Sequence, residues 1–186
     1  MLGHPILAMA NRKPKPLDAE QLWEHGLAAL GRRAHSVSEL RVKLRARAAQ
    51  AGDVDEVLSR LKSAGYLNDR EFAQTYASAR LQNQGFGSMR VLRDLLSHRV
   101  APAVAKQAVD QTFRDTDETA LIEDFLRRKY RGVELASYLQ ENKYLASAYR
   151  RLRLAGFSPG NSIRVLKRFA AQADLLEGME ESDHGS

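Results

Sequence analysis

Positively charged side chains, grouped in short runs, are the residues here whose types and spacing can do chemistry. Arg32 and Arg33 close one apolar-periodic segment, and Arg41, Lys43, Arg45 and Arg47 mark the next. Arg127, Arg128, Lys129 and Arg131 form the densest run; Arg150, Arg151 and Arg153 follow, then Arg164, Lys167 and Arg168. A guanidinium can clasp a carboxylate or phosphate with two parallel hydrogen bonds, so arginine in this abundance suits an extended anionic partner. Cations in the last turn of a helix also offset the macrodipole, which accounts equally well for Arg32, Arg33 and the 127–131 run. Tyr130, Tyr144, Tyr149 and Phe157 lie near these runs, and aromatic rings can stack on bases. Tyr149 and Phe157 fall on apolar stripes and read as core.

No constellation of an enzyme accompanies the cations. The chain has no cysteine, which removes disulfides, thiolate metal sites and a cysteine nucleophile. His4, His25, His35, His98 and His184 are scattered without metal-ligand spacing. Glu123 and Asp124 are neighbours on a helix and so face different ways. The Gly85-Phe86-Gly87 stretch precedes a helix, where its N–H groups can face a phosphate, but it lacks the rest of any nucleotide fingerprint. It reads as a break between helices. No catalytic residue, metal site or cofactor is expected.

Charge is unevenly spread over the 186 residues. Five acids and no Lys or Arg lie between Asp174 and Ser186, so removing that tail from the net charge of +6 leaves residues 1–173 at +11. A basic body with an acidic tail suits an anionic partner, nucleic acid or a protein coated with it. The apolar run at His4–Ala10 is too short to span a membrane, and its charges follow it, unlike those of a secretory signal. A cytoplasmic setting without membrane contact is expected.

The cations need elements to hold them, and helical periodicity supplies these almost everywhere. Val54, Val57, Leu58 and Leu61 form one stripe, with Asp53 expected as its N-cap and Glu56 completing a capping box. Val104, Ala105, Ala108, Val109 and Phe113 form another; Leu121, Ile122, Phe125 and Leu126 a third; Ile163, Leu166, Phe169 and Ala170 a fourth. The segments group in threes: helices near 20–32, 36–48 and 53–64, then 69–84, 88–99 and 101–113, then 117–131, 142–156 and 159–172. Middle helices share a pattern, Ser36, Leu40 and Leu44 matching Ser88, Leu92 and Leu96, with Ala148 and Leu152 in the last two places of the third group. A period near 48 residues, the separation of the helix starts at Asp69 and Asp117, is that of a helical repeat protein. A single compact bundle is the competing arrangement.

One corner is specified closely. Gly65 can take the left-handed conformation that ends a helix, Asn68 suits an N-cap with Glu71 reaching back, and Leu67 and Phe72 fall where a hydrophobic staple would pair them.

The blocks Gly31–Leu44 (GRRAHSVSELRVKL), Leu61–Arg80 (LKSAGYLNDREFAQTYASAR) and Arg151–Leu166 (RLRLAGFSPGNSIRVL) together resemble the RecX regulatory protein family, in order, from about Leu22 to Ala171. Two positions depart from the family pattern. Ala34 stands where an acidic residue usually precedes the His-Ser pair, and Arg99 stands where a glycine usually precedes the apolar residue leading into the third helix of the second group.

The resemblance implies an all-α fold of three tandem three-helix, helix-turn-helix-like repeats forming an elongated curved body. With the periodicity, it divides the chain into an N-terminal flexible extension (1–18), repeats at 19–67, 68–115 and 116–173, and a disordered acidic tail (174–186). It also implies a function, binding to the RecA recombinase in its filament on single-stranded DNA and restraining it, as a monomer and without a cofactor. The candidate contacts are then Arg32, Arg33, Lys43, Arg45, Arg47, Arg127, Arg128, Lys129, Arg131, Arg150, Arg151, Arg153, Arg164, Lys167 and Arg168. A DNA-binding module acting directly on nucleic acid is the alternative.

Overall fold

A computed structural model describes residues 15–176. The described chain is all-α. Its helices are α1 (Ala19–Arg32), α2 (Val37–Arg45), α3 (Ala51–Ser63), α4 (Asp69–Ala79), α5 (Ser88–Ser97), α6 (Pro102–Phe113), α7 (Glu118–Lys129), α8 (Leu135–Tyr138), α9 (Asn142–Leu154) and α10 (Pro159–Leu166). A π-helical turn, Arg80–Gln84, extends α4, and a 3₁₀ segment, Ala171–Leu176, follows α10.

The chain divides into two compact units between Leu67 and Asn68. In the first, α1–α3 enclose a core of Leu22, Leu40, Leu44, Val57, Leu58 and Leu61. An isolated parallel bridge between Leu17 and Ala48 ties the start of the described chain to the end of α2, with Leu17 N–H donating to Arg47 O at 2.7 Å. The second unit has two clusters. One is built from α4–α6 around Ala73, Ala77, Val91, Leu95 and Ala105. The other is built from α7–α10 around Ile122, Leu126, Leu152, Phe157 and Leu166, and includes Ala173 and Leu176 of the 3₁₀ segment. Phe86 packs against both clusters. Most of the expected extension (1–14) and tail (177–186) lies outside the described residues.

Helix starts follow cap chemistry. Asp18 and Ser36 form reciprocal capping boxes with Gln21 and Glu39. Asn68 caps α4, accepting from the N–H groups of Arg70 and Glu71. The expected cap at Asp53 is wrong: α3 begins at Ala51 behind Gln50, which makes no side-chain cap, and Asp53 stands in the first turn. There its charge favours the positive helix end without a cap hydrogen bond. Leu67 is buried with the first core and Phe72 packs against the second.

Three helix ends share one geometry. After α3, Gly65 N–H donates to Lys62 O and Tyr66 N–H to Leu61 O; after α9, Gly156 and Phe157 repeat this with Arg153 O and Leu152 O. Both glycines have positive φ, +77° and +90°. After α5 the same bonds run from Arg99 to Leu96 O and from Val100 to Leu95 O, with Arg99 at φ +60°. Arg99 therefore occupies a left-handed position that disfavours a Cβ.

The second unit turns on a close backbone crossing. Gly87 N–H donates to Ala155 O at 2.9 Å and Met89 N–H to Gly156 O at 3.2 Å, so the start of α5 abuts the end of α9. Arg90 and Arg93 add hydrogen bonds to Leu154 O at 3.4 and 3.3 Å. A Cβ on Gly87 would overlap the Gly156 carbonyl. Nearby, the Glu118 carboxylate of α7 accepts from Ser158 N–H at 2.8 Å and from Asn161 Nδ2 at 2.6 Å, capping α10 from another helix.

The middle-helix pattern is one residue out of register. Ser36 is the N-cap of α2, and Leu40 and Leu44, four and eight residues on, are buried. The N-cap of α5 is Gly87, and the corresponding buried residues are Val91 and Leu95. A one-residue slip turns the face by about 100°. Leu92 is thereby left half-buried at the margin of the core and Leu96 exposed.

Replacing Gly87 with alanine is expected to destabilise the second unit by roughly 2–3 kcal/mol through overpacking against backbone. Arg99→Gly is expected to stabilise it, by up to about 1 kcal/mol, by relieving the left-handed strain. Urea denaturation of the two variants and wild type checks both signs.

Candidate partner-binding surface

In the first unit, Arg32 of α1, Lys43 of α2 and Arg47 just beyond α2 act on one histidine, His25 of α1. Burial lowers the pKa of half-buried His25 below its ordinary 6.5, and the charges of Arg47, Lys43 and Arg32 lower it further, in that order. Arg32 and Arg45 are exposed. Arg47 is half-buried with its Nε enclosed. Arg33 instead pairs with Glu39 at 3.3 Å, and Arg41 pairs with Asp55. His35 is buried beside Glu39, 3.6 Å from its carboxylate. Burial and then Arg33 lower the pKa of His35 against the opposing pull of Glu39.

In the second unit the end of α7 forms a hollow of about 320 Å³ lined by Arg127, Arg128, Tyr130, Arg131, Gly132 and Val133, with Leu135. Burial raises the Tyr130 hydroxyl above its ordinary pKa, with Arg151 pulling the other way, so Arg151 acts on the same ring. Tyr130 begins an aromatic row: its ring lies 5.5 Å from Tyr138, which stacks on Tyr144 at 4.2 Å with an interplanar angle of 14°. Lys143 sits over Tyr144 at 4.5 Å. Cations, rings and an apolar floor together suit a partner with negative charge and a flat or apolar group.

Several candidates are held by internal contacts. Arg127 pairs with Asp124, and Arg168 pairs with Glu123 across to α7. Arg128 donates to Gln84 O at 3.2 Å and to Asp124 O at 3.3 Å, which fastens α7 to the π turn. Arg153 donates to Phe157 O. Lys129, Arg131, Arg150, Arg151, Arg164 and Lys167 are exposed. Tyr149 and Phe157 are core, as their stripes predict. The Gly85–Gly87 N–H groups do not await a phosphate, since Gly85 donates to Leu81 O and Gly87 to Ala155 O. Sequence reasoning missed Tyr138, which lies on the four-residue α8; its only signal was a tyrosine between Tyr130 and Tyr144.

Among the described residues no helix is long and apolar enough to cross a membrane. The model of the second three-helix domain of RecX matches residues 68–109. The regulatory protein RecX of Stenotrophomonas maltophilia (strain K279a) is 30% identical over 158 residues, covering 85% of this chain and 91% of that protein. The chain belongs to the RecX family. The regulatory protein RecX of Streptomyces coelicolor is 29% identical over 146 residues, 78% of this chain and 73% of that one. In fold, the chain is similar to the crystal structure of RecX from Lactobacillus salivarius, with a TM-score of 0.61 and 15% identity over 81% of this chain and 96% of that one. Its relatives are named as regulatory proteins, and its all-helical fold is theirs.

The lowered histidines set a pH dependence. A folded-state pKa below the unfolded value means that the unfolded chain takes up the proton first as pH falls, so folding weakens with acidification below about pH 6.5. NMR titration is expected to place His25 below its ordinary value, and Lys43→Glu to raise it. A His25 pKa at or above 6.5 in the wild type would contradict the convergence of Arg47, Lys43 and Arg32.

Proposed function

We propose that the chain is a non-enzymatic regulator that binds the RecA recombinase, mainly in its filament on single-stranded DNA, and restrains filament growth, ATP hydrolysis and strand exchange. Membership of a family of regulatory proteins carries this reading. The exposed cations support it, because such a filament presents phosphate and acidic protein together. The chain acts in the cytoplasm, as a monomer and without a cofactor. Lys129, Arg131, Arg150, Arg151 and Arg164 are the cations best placed for contact, being exposed at the surface. Arg33, Arg153 and Arg168 contribute mainly to the fold through their internal partners.

A second reading, direct binding to single-stranded DNA, draws on the Tyr130–Tyr138–Tyr144 row beside Arg127 and Arg131. It requires tight binding to DNA alone, with an affinity that falls steeply as salt rises.

Added below one copy per recombinase, the wild-type chain is expected to slow DNA-dependent ATP hydrolysis and strand exchange. The Arg127→Glu/Arg131→Glu double variant is expected to need about tenfold more protein for the same effect, a loss of about 1.4 kcal/mol. Unchanged hydrolysis and exchange with the wild type would overturn the proposed function.

A further inference from the structure

The first unit gathers basic groups along the seam between α1 and α2. The two helices run antiparallel. Leu17 N–H, just ahead of α1, donates to Arg47 O, just beyond α2, and at the other end Arg33 pairs with Glu39. Lys43 of α2 is thereby set across from His25 in the middle of α1. Arg47 comes one turn after Lys43, held there by its own N–H and that of Ala48, which both donate to Leu44 O at 2.9 Å. Arg32 comes two turns after His25 and so shares its face of α1. The order along the seam is Arg47, then His25 with Lys43, then Arg32, with about 6 Å and about 10 Å of helix rise between them.

Little inside the unit answers these groups. Arg32 and Lys43 have no ion-pair or hydrogen-bond partner among the described residues. Arg47 reaches one carbonyl, Lys15 O at 3.5 Å, and its Nε is enclosed with no partner among the described residues. The acids are engaged elsewhere: Glu39 with Arg33, Asp55 with Arg41, Glu20 with Arg60, and Asp18 in the cap of α1. Asp53 and Glu56 lie on α3, and Glu24, next to His25, stands about 100° round α1 from it. The charges that act on His25 are accordingly all positive, and with burial they hold the imidazole neutral. Offsetting helix dipoles accounts for Arg32 and Lys43, which stand in last turns, but not for His25 in mid-helix or Arg47 beyond α2. An anion seated here cancels the field and lets His25 take up a proton, which makes it a fourth cation. Val42 is the only large exposed apolar residue on α1 or α2, and it lies about 100° round from Lys43. An acidic peptide binds through apolar anchors that the seam does not offer, whereas a phosphate needs only charge and donors.

We propose that Arg32, Lys43, Arg47 and His25 form a phosphate-binding strip in the first unit, with His25 bound in its protonated form. The phosphate is that of a nucleic-acid backbone or a free phosphate ion, and the recognising chemistry is the same for both. The strip carries the proposed function into the first unit, and it rests on that part of the reading in which the partner presents phosphate. Binding takes up a proton, so it strengthens as pH falls.

The probe is a fluorescein-labelled thymidine strand of about 15 nucleotides. Its phosphodiesters keep a constant charge between about pH 5.5 and 8, unlike a phosphate monoester with its second pKa of about 6, so a pH dependence belongs to the protein. Fluorescence anisotropy with the full chain, at fixed ionic strength, is expected to show saturable binding that tightens about tenfold over that fall in pH. NMR is expected to show the His25 midpoint rising by about one pH unit in the bound chain. His25→Gln is expected to bind with less than about twofold dependence on pH. Lys43→Glu and Arg32→Glu are each expected to weaken binding about tenfold while melting as the wild type does. Lys62→Glu, exposed on α3 and not among the charges acting on His25, is expected to change it less than about twofold. Should Lys43→Glu fail to fold, Arg32→Glu carries the same expectation. Inorganic phosphate that moves the His25 midpoint as far as the strand does assigns the strip to the free ion, and a shift with the strand alone assigns it to a backbone. A His25 midpoint that neither moves, full binding by a folded Arg32→Glu variant, or an equal loss in Lys62→Glu overturns the proposal. So does an equal shift with poly-aspartate, which supplies carboxylates alone. No recombinase enters the measurement, so its failure is told apart from a failure to slow ATP hydrolysis and strand exchange.

Discussion

The second unit depends on the place where α9 ends and α5 begins. A helix C-terminus leaves carbonyls unsatisfied and a helix N-terminus leaves N–H groups unsatisfied, and a buried orphan of either kind is expensive. Here Ala155 O and Gly156 O accept from Gly87 and Met89, while Leu154 O accepts from Arg90 and Arg93. The opposite ends of two helix dipoles meet, which is favourable in its own right. Only glycine permits the approach, because the Gly87 position faces the Gly156 carbonyl and the Gly156 position faces the Arg90 backbone. The GFG stretch thus makes a structural joint between two helical groups.

That joint changes the meaning of the arginines. In the sequence they form one population, but the fold sorts them. Arg90, Arg93, Arg128 and Arg153 donate to backbone carbonyls left over at helix ends and turns. Arg33, Arg127 and Arg168 find carboxylates. Exposed pairs of this kind contribute little to stability, typically under about 1 kcal/mol each, and an incoming anion can exchange them. Carbonyl-bound arginines differ, because removing one leaves a helix end open. Charge reversal therefore tests binding cleanly at Arg131 or Arg150, whereas at Arg128 it also loosens the attachment of α7 to the π turn.

Much of the architecture was legible in the apolar periodicity and the caps. Gly65 and Asn68 behave as their types require, and the stripes of α3, α6, α7 and α10 supply cores. The failures have physical causes. Asp53 looked like a cap because acids favour both the cap and the first turn, and periodicity cannot separate positions three residues apart. The Ser36–Ser88 match misled because α5 starts behind a glycine, which leaves no side-chain signal at its true N-cap. α8 is too short to show a period, and a π turn differs from an α-helix by one hydrogen-bond step that composition does not record. Of the candidate surface, the sequence displayed the cations but not their partners. Whether an arginine is available is decided by acids and carbonyls far away in the chain, as with Arg168 and Glu123.

Under the proposed role, the exposed cations carry the first stage of recognition. Exposed cations act at a distance, raising the rate of encounter with an anionic filament, and their contribution falls with salt. A charge field of this kind cannot tell one polyanion from another. Discrimination has to come from contacts of shape and apolar area, which act only at touching distance and lengthen residence. A regulator that must work below one copy per subunit needs a slow departure more than a fast arrival. The Tyr130–Tyr138–Tyr144 row beside the α7 cations offers flat apolar area of that kind.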